Sequence, residues 1–286
     1  MTTHQASDQY RGLSAIPMIY FKDMVLERTM EPPEWFEIAA GLGLEATEVH
    51  DRYLRSYEPR YLEELAEQIR NRGLAVSQVI GAADLTNPDP EQRDVALTAT
   101  RKNLDAAAIL GATCVRLTAG QEHTGQSHAD GVRLAVDGMQ RALEYAETKG
   151  VYLAFENHYK DYFWPEPDFS RHTATFLEIL DSIRDTAIKV NFDCSNQVVN
   201  GEDPVALLRQ VRGYVVHVHC SDRVAPNAYP HAVTGEGVVD FPTIFGLLRE
   251  IGYAGWLSVE YGGDEGLDGL RRSILNVRRL WADASA

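Results

Sequence analysis

Short apolar runs rich in β-branched and aromatic residues recur along the chain, and stretches with apolar residues three and four apart fill the intervals between them. Alternation of these two periods predicts successive β–α units. Eight strand-like runs stand out: SAIPMIY (14–20), LEATEVH (44–50), LAVSQVI (74–80), CVRLTAG (114–120), VYLAFEN (151–157), IKVNFDC (188–194), YVVHVHC (214–220) and WLSVEYG (256–262). The helices between them announce their ends. Asp89 before Pro90, and Asp203 before Pro204, put an N-capping carboxylate ahead of a proline at the first helical position, and Gly111 and Gly213 lie just past the far ends. After Asp240, read as a further cap, Phe241, Ile244, Phe245, Leu248 and Ile251 fall on one helical face suited to packing outside a sheet.

Eight such units in 286 residues suit a single α/β domain over 1–286, a (β/α)8 TIM barrel. A doubly wound open sheet is the competitor, but the first strand lacks the G-x-G-x-x-G turn of a dinucleotide site. The long aromatic stretch NHYKDYFWPEPDFS (157–170) reads as a loop over one end of the barrel.

Composition narrows the partners. An apolar share of 44% is ordinary for a globular protein. A net charge of −15, from 42 acidic against 27 basic residues, argues against nucleic acid, whose binding relies on basic surface. No apolar run approaches membrane-spanning length, and the opening MTTHQASDQY has no basic region followed by an apolar stretch. A cytoplasmic protein without a membrane partner is therefore expected. Cys114, Cys194 and Cys220, few and odd in number, fit reduced thiols acting as small buried hydrophobes.

The last four strands carry the chemistry at their ends: Glu156, Asp193, His219 and Glu260. In a barrel of parallel strands these ends lie together on the face where reactive groups gather. Any one of them alone reads as a satisfied buried group. Three carboxylates and an imidazole converging on one point, however, would repel unless a divalent ion gave each oxygen a partner. Oxygen-rich ligation with one His favours Mn²⁺, with Co²⁺ or Mg²⁺ as alternatives, at about one ion per chain.

The motifs AFEN (154–157), NFDCSN (191–196), HVHCSD (217–222), GEGVVDF (235–241) and LSVEY (257–261) resemble those of the xylose-isomerase-like TIM-barrel superfamily. Within it they are most similar to the sugar-phosphate isomerase/epimerase branch, which includes ketose 3-epimerases and inosose dehydratases. The resemblance runs in order through the second half of the chain. It implies that Glu156, Asp193, His219 and Glu260 are divalent-metal ligands, with Glu156 and Glu260 also the paired acid/base carboxylates. The chemistry fits: moving a proton beside a carbonyl requires a base, stabilisation of a metal-bound enediolate and, for inversion, an acid on the other face. The implied function is a metal-dependent isomerase or epimerase acting on a small ketose-like carbohydrate. Loss of a β-hydroxyl from the same intermediate would instead make it a lyase or dehydratase on a keto-sugar, keto-cyclitol or keto-glycoside.

Two positions depart from the branch. Ketose 3-epimerases show D-x-x-H after the sixth strand, where this chain has Asn196; they also carry an Arg six residues past the metal His, where this chain has Ala225 with Arg223 nearby. Further candidates for substrate contact are Glu48 and His50 at the end of the second strand, and His158 two residues after Glu156. His217, sharing parity with His219, is read as an interior or supporting group or as a fifth ligand, and counts with Asn196, Arg223 and Trp164 among the candidates for substrate contact. Lys189 and Asn191 line the pocket floor or are satisfied interior groups; Arg116 binds substrate or forms a buried ion pair. His231 is expected to be exposed. Tyr159, Tyr162, Phe163 and Trp164 form a lid over substrate or a patch through which copies pair, consistent with an expected homo-oligomer, dimer or tetramer. Gly235 and Gly237 suggest a tight approach in the loop after the seventh strand, and Gly262 with Gly263 a site where a barrel phosphate would bind.

Overall fold

The computed structural model describes residues 10–284; the first nine residues, on which most of the leader reading rests, lie outside it. Eight parallel strands, β1 (Gly12–Ile16), β2 (Ala46–His50), β3 (Ala75–Ile80), β4 (Cys114–Leu117), β5 (Tyr152–Glu156), β6 (Lys189–Asp193), β7 (Val215–Cys220) and β8 (Trp256–Glu260), form one sheet. Their order is β1-β8-β7-β6-β5-β4-β3-β2, the nearly closed barrel of a (β/α)8 fold. The gap between β1 and β2 is bridged by Glu45, whose N–H donates to Leu13 O at 3.0 Å and whose carboxylate accepts the Leu13 N–H at 2.8 Å.

Helices α1 (Pro32–Gly41), α2 (Pro59–Asn71), α3 (Pro90–Leu110), α4 (His128–Lys149), α5 (Thr173–Ile183), α6 (Asn196–Val199), α7 (Pro204–Val211), α8 (Phe241–Glu250) and α9 (Gly266–Asp283) connect and cover the strands. The caps fall where expected: Asp89, Asp203 and Asp240 accept N–H bonds from Glu91, Val205 and Thr243. Gly111 closes α3 with φ of 73°, a left-handed conformation that costs a glycine little. The outward strand residues pack on the helices; Phe155 stacks on Phe176 of α5 with ring centroids 4.5 Å apart. Burying one such ring contributes about 1.5–3 kcal/mol.

Several expectations need correction. The first strand is Gly12–Ile16 rather than 14–20, because Pro17 offers no N–H to continue the ladder and the chain turns at Met18–Tyr20. The fourth strand stops at Leu117, since Thr118 leaves the ladder to exchange hydrogen bonds with Ala83 through its hydroxyl. Gly213 lies inside a 3-10 turn, Arg212–Tyr214, and is not a left-handed cap. Ile251 is 38% exposed, past the end of α8 and off its buried face. The three cysteines are buried and free. No helix among the described residues is long and apolar enough to cross a membrane.

Candidate metal centre

Parallel strands present alternate side chains to the barrel interior, so the last inward residue of each strand reaches the same open end. Glu156, Asp193, His219 and Glu260 do meet there, with one donor atom from each within 4.8 Å of all the others. His219 is the hub. Its Nδ1 lies 2.7 Å from Glu156 Oε1 and 3.2 Å from Glu260 Oε2. Its Nε2 faces the other way, 3.3 Å from Glu48 Oε1 and 3.2 Å from Gln78 Oε1. With the ring proton given to that lower pair, Nδ1 turns a lone pair toward two carboxylates, an arrangement that calls for a cation between them.

Asp193 explains why the sixth strand runs into polar residues. Its Oδ1 accepts the backbone N–H of Ser195 at 2.8 Å and of Asn196 at 2.7 Å, and its Oδ2 accepts the Ser221 hydroxyl at 2.7 Å. The local turn therefore fixes the carboxylate before any ligand arrives. Burial, and then the neighbouring Glu260 and Glu156, push the Asp193 carboxyl up to about 7. Burial also opposes ionisation of Glu156, but the Arg116 guanidinium at 3.1 Å and His219 overcome it and hold that carboxyl below its usual range. Three crowded carboxylates, only one of which is directly paired with a guanidinium, have the charge and donor chemistry of a divalent-cation site. The residues fit such an ion, with three oxygens and one nitrogen as donors.

Below this group sits a sealed layer. His217 Nε2 is 2.9 Å from Glu48 Oε1, and both side chains are wholly buried. His217 and Glu48 therefore support the imidazole of His219 from beneath rather than facing a substrate, and Asn191 joins them by donating to Glu156 Oε1 at 3.2 Å. Lys189 does not reach the pocket floor; its ammonium lies over the Tyr152 ring at the opposite end of β5 and β6.

Above the carboxylates opens a cavity of about 320 Å³ whose walls include His50, Arg116, His158, Asn196 and Glu260. His158 is braced by Asp168 at 3.2 Å, and this contact raises its pKa against the opposing effect of burial. Arg116 forms the buried ion pair that its sequence allowed, with Glu156, and also stands on the cavity wall. Arg223 stands behind the wall, donating to Ser195 Oγ, Tyr229 O and Asn196 Oδ1. Trp164 is also behind it, its ring edge-on to His158 at 6.0 Å.

Tyr159 and Tyr162 of the long loop also stand on the wall, as does His231, and they are joined by Phe21 and Tyr229, which no sequence motif marks. His231, expected to be exposed, is half-buried on that wall, and burial with the nearby Arg223 pushes its imidazole down to about 4. The clue in the sequence was the aromatic and glycine content around it. Asp222 accepts N–H bonds from Gly235, Gly237 and Val239, folding the loop after β7 back over the barrel. A Cβ at Gly237 would lie 2.3 Å from Arg223 O, so this approach admits only glycine. A Cβ at Gly263 would lie 2.6 Å from the Tyr261 ring, whereas one at Gly262 would make only ordinary contacts, 3.6 Å from Met18 and 3.8 Å from His231.

Fold and site together define a (β/α)8 barrel with a carboxylate–imidazole cluster that could hold a metal ion at the C-terminal ends of its strands. Residues 36–280 match the family model described as "Xylose isomerase-like TIM barrel", and the chain belongs to that family. Its relatives are enzymes. The chain is similar to an inosose dehydratase of Clostridium beijerinckii, 24% identical over 248 residues that make up 76% of this chain and 78% of that one. Among solved structures it resembles a D-psicose 3-epimerase from Clostridium cellulolyticum H10 crystallised with D-tagatose, with a TM-score of 0.76, 17% identity and coverage of 94% of this chain and 99% of that one. It also resembles the IolI protein with a bound zinc atom, at a TM-score of 0.74 and 18% identity over 95% of this chain and 97% of that one.

Proposed function

We propose that the protein is a divalent-metal-dependent isomerase or epimerase that moves a proton at the carbon beside the carbonyl of a ketose-like carbohydrate. The observation that carries this reading is the pairing of Glu156 and Glu260 against one imidazole nitrogen, at 2.7 and 3.2 Å, beside a cavity sized for a small ligand. Glu156, Asp193, His219 and Glu260 would hold the ion. When bound, it supplies a Lewis acid that acidifies the neighbouring C–H and offsets developing oxyanion charge; Mn²⁺ suits the donor set best.

The protein's own groups account for the remaining steps. Glu260 lines the cavity and is placed to take the proton. Glu156, held ionised and oriented by Arg116, comes from the other side of β6 and β7 and is the second proton-transfer group. Asn196, fixed by Arg223, and His158, fixed by Asp168, present hydrogen-bonding groups to substrate hydroxyls. Burial of these groups excludes bulk water from the reacting carbon.

Incubation with candidate keto-sugars in D₂O, followed by NMR, tests the proposal. Deuterium at an inverted carbon is the expected result, and absence of exchange across the panel sinks it. The similarity to inosose dehydratase over 76% of the chain favours a second reading, elimination. There the same proton is removed, the β-hydroxyl leaves with a proton as water, and the product is an unsaturated ketone that mass spectrometry detects.

A further inference from the structure

The cavity changes character from its floor to its mouth. The inner part carries the polar groups, Glu260, Arg116, His50, His158 and Asn196, beside the buried Ile16 and Ile80. The outer part is aromatic: Phe21, Tyr159, Tyr162 and Tyr229 line the same space, and Tyr162 and Tyr229 remain 66% and 65% exposed. These rings are grouped, Phe21 with Tyr162 at 5.0 Å and Tyr159 with Tyr229 at 5.9 Å. Two guanidiniums steady them, Arg52 over the adjoining Phe163 at 3.9 Å and Arg223 over Tyr159 at 5.1 Å.

Exposed aromatic faces continuous with a catalytic floor mark a place for an apolar part of the ligand. The nearby cations are already committed: Arg116 to Glu156 and Gly81 O, Arg52 to Asp161, Lys160 to Pro165 O. The mouth thus offers ring surface rather than spare positive charge. We propose that the substrate is a neutral keto-glycoside whose sugar ring lies over the carboxylates and whose aromatic aglycone is held by Phe21, Tyr159, Tyr162 and Tyr229. This deepens the proposed function and rests on it for the position of the sugar ring.

The test is a binding measurement that needs no turnover. Calorimetric titration of the metal-loaded protein compares phenyl β-D-glucopyranoside with methyl β-D-glucopyranoside. The phenyl glycoside is expected to bind about tenfold more tightly, the scale of one well-made aromatic contact plus its buried area. In a Tyr162→Ala/Tyr229→Ala variant the ratio should fall to about twofold or less. Both tyrosines are mostly exposed, so the variant is expected to fold, which its melting curve verifies. Equal affinities in the wild type, undetectable binding of the phenyl glycoside, or an unchanged ratio in the variant would each overturn the inference. An unchanged ratio with a shift from oligomer to monomer in sedimentation would assign the tyrosines to pairing between copies instead. The D₂O exchange assay fails or succeeds independently, so a lost proton transfer and a lost aglycone site are told apart.

Discussion

Two clusters of ionisable groups share His219, one with three carboxylates around it and one with a single carboxylate and a second imidazole, and they differ above all in access. The upper cluster, Glu156, Asp193, His219 and Glu260, and the lower one, Glu48, His217 and His219, both bring donor atoms within 4.8 Å of one another. Glu260 of the upper cluster opens onto the cavity, its side chain 18% exposed, while Glu48 and His217 below are fully sealed. Proximity of donors therefore does not define a site by itself. The lower cluster orients an imidazole, and the upper one can meet a ligand.

The largest test of that contrast is Glu260→Gln. Removing a proton-transfer carboxylate that touches the cavity should lower turnover by about 10²–10⁴-fold while the melting temperature stays near that of the wild type. Retained turnover would break the distinction from above. Glu48→Ala acts from below: it strips His217 of its acceptor, leaves His219 Nε2 with Gln78 Oε1 alone, and should cost about 3 kcal/mol in denaturant unfolding. It should also weaken the ion about 10–100-fold, read by metal titration, because an imidazole left unoriented is a poorer ligand. A variant as stable and as metal-tight as the wild type would remove the supporting role assigned to the lower layer.

Chelation sharpens the comparison without any mutation. Purified protein should contain about one divalent ion per chain, and its removal should lower the melting temperature by several degrees, restored by added Mn²⁺. Elemental analysis with no bound metal and no rescue would contradict the upper site. The smallest effect is expected at Ser77, whose hydroxyl contacts Ser14 Oγ at 2.6 Å in the buried interior. Ser77→Ala should cost about 1 kcal/mol and leave metal content unchanged.

Much of this was legible in the sequence, for specific reasons. A strand that alternates apolar residues and ends in Glu156 or Asp193 announces both its period and the place where the period yields to chemistry, and parallel topology brings those ends together. What was not legible depends on residues distant in sequence. The wall of the cavity joins Phe21, Tyr159 and Tyr229 from three different loops, and no local pattern states that they meet. Glu45 closing the barrel against Leu13 is equally invisible, because it is a side-chain substitute for a ladder bond. His231 misled for a related reason. Its surroundings, NAYPHAV, look like surface, and only the folding-back of the loop through Asp222 carries it inward.

That anchoring has a consequence for how the molecule can change. Asp222 and the bridge between Arg223 and His231 pin both ends of the segment 224–230, while Val224, Tyr229 and Pro230 within it are exposed. Substitutions at these exposed positions are therefore expected to act on the mouth of the cavity, where Tyr229 stands, before they disturb the strand that carries His219. New ligand preferences at the mouth are then accessible at little risk to the cluster of Glu156, Asp193, His219 and Glu260 below.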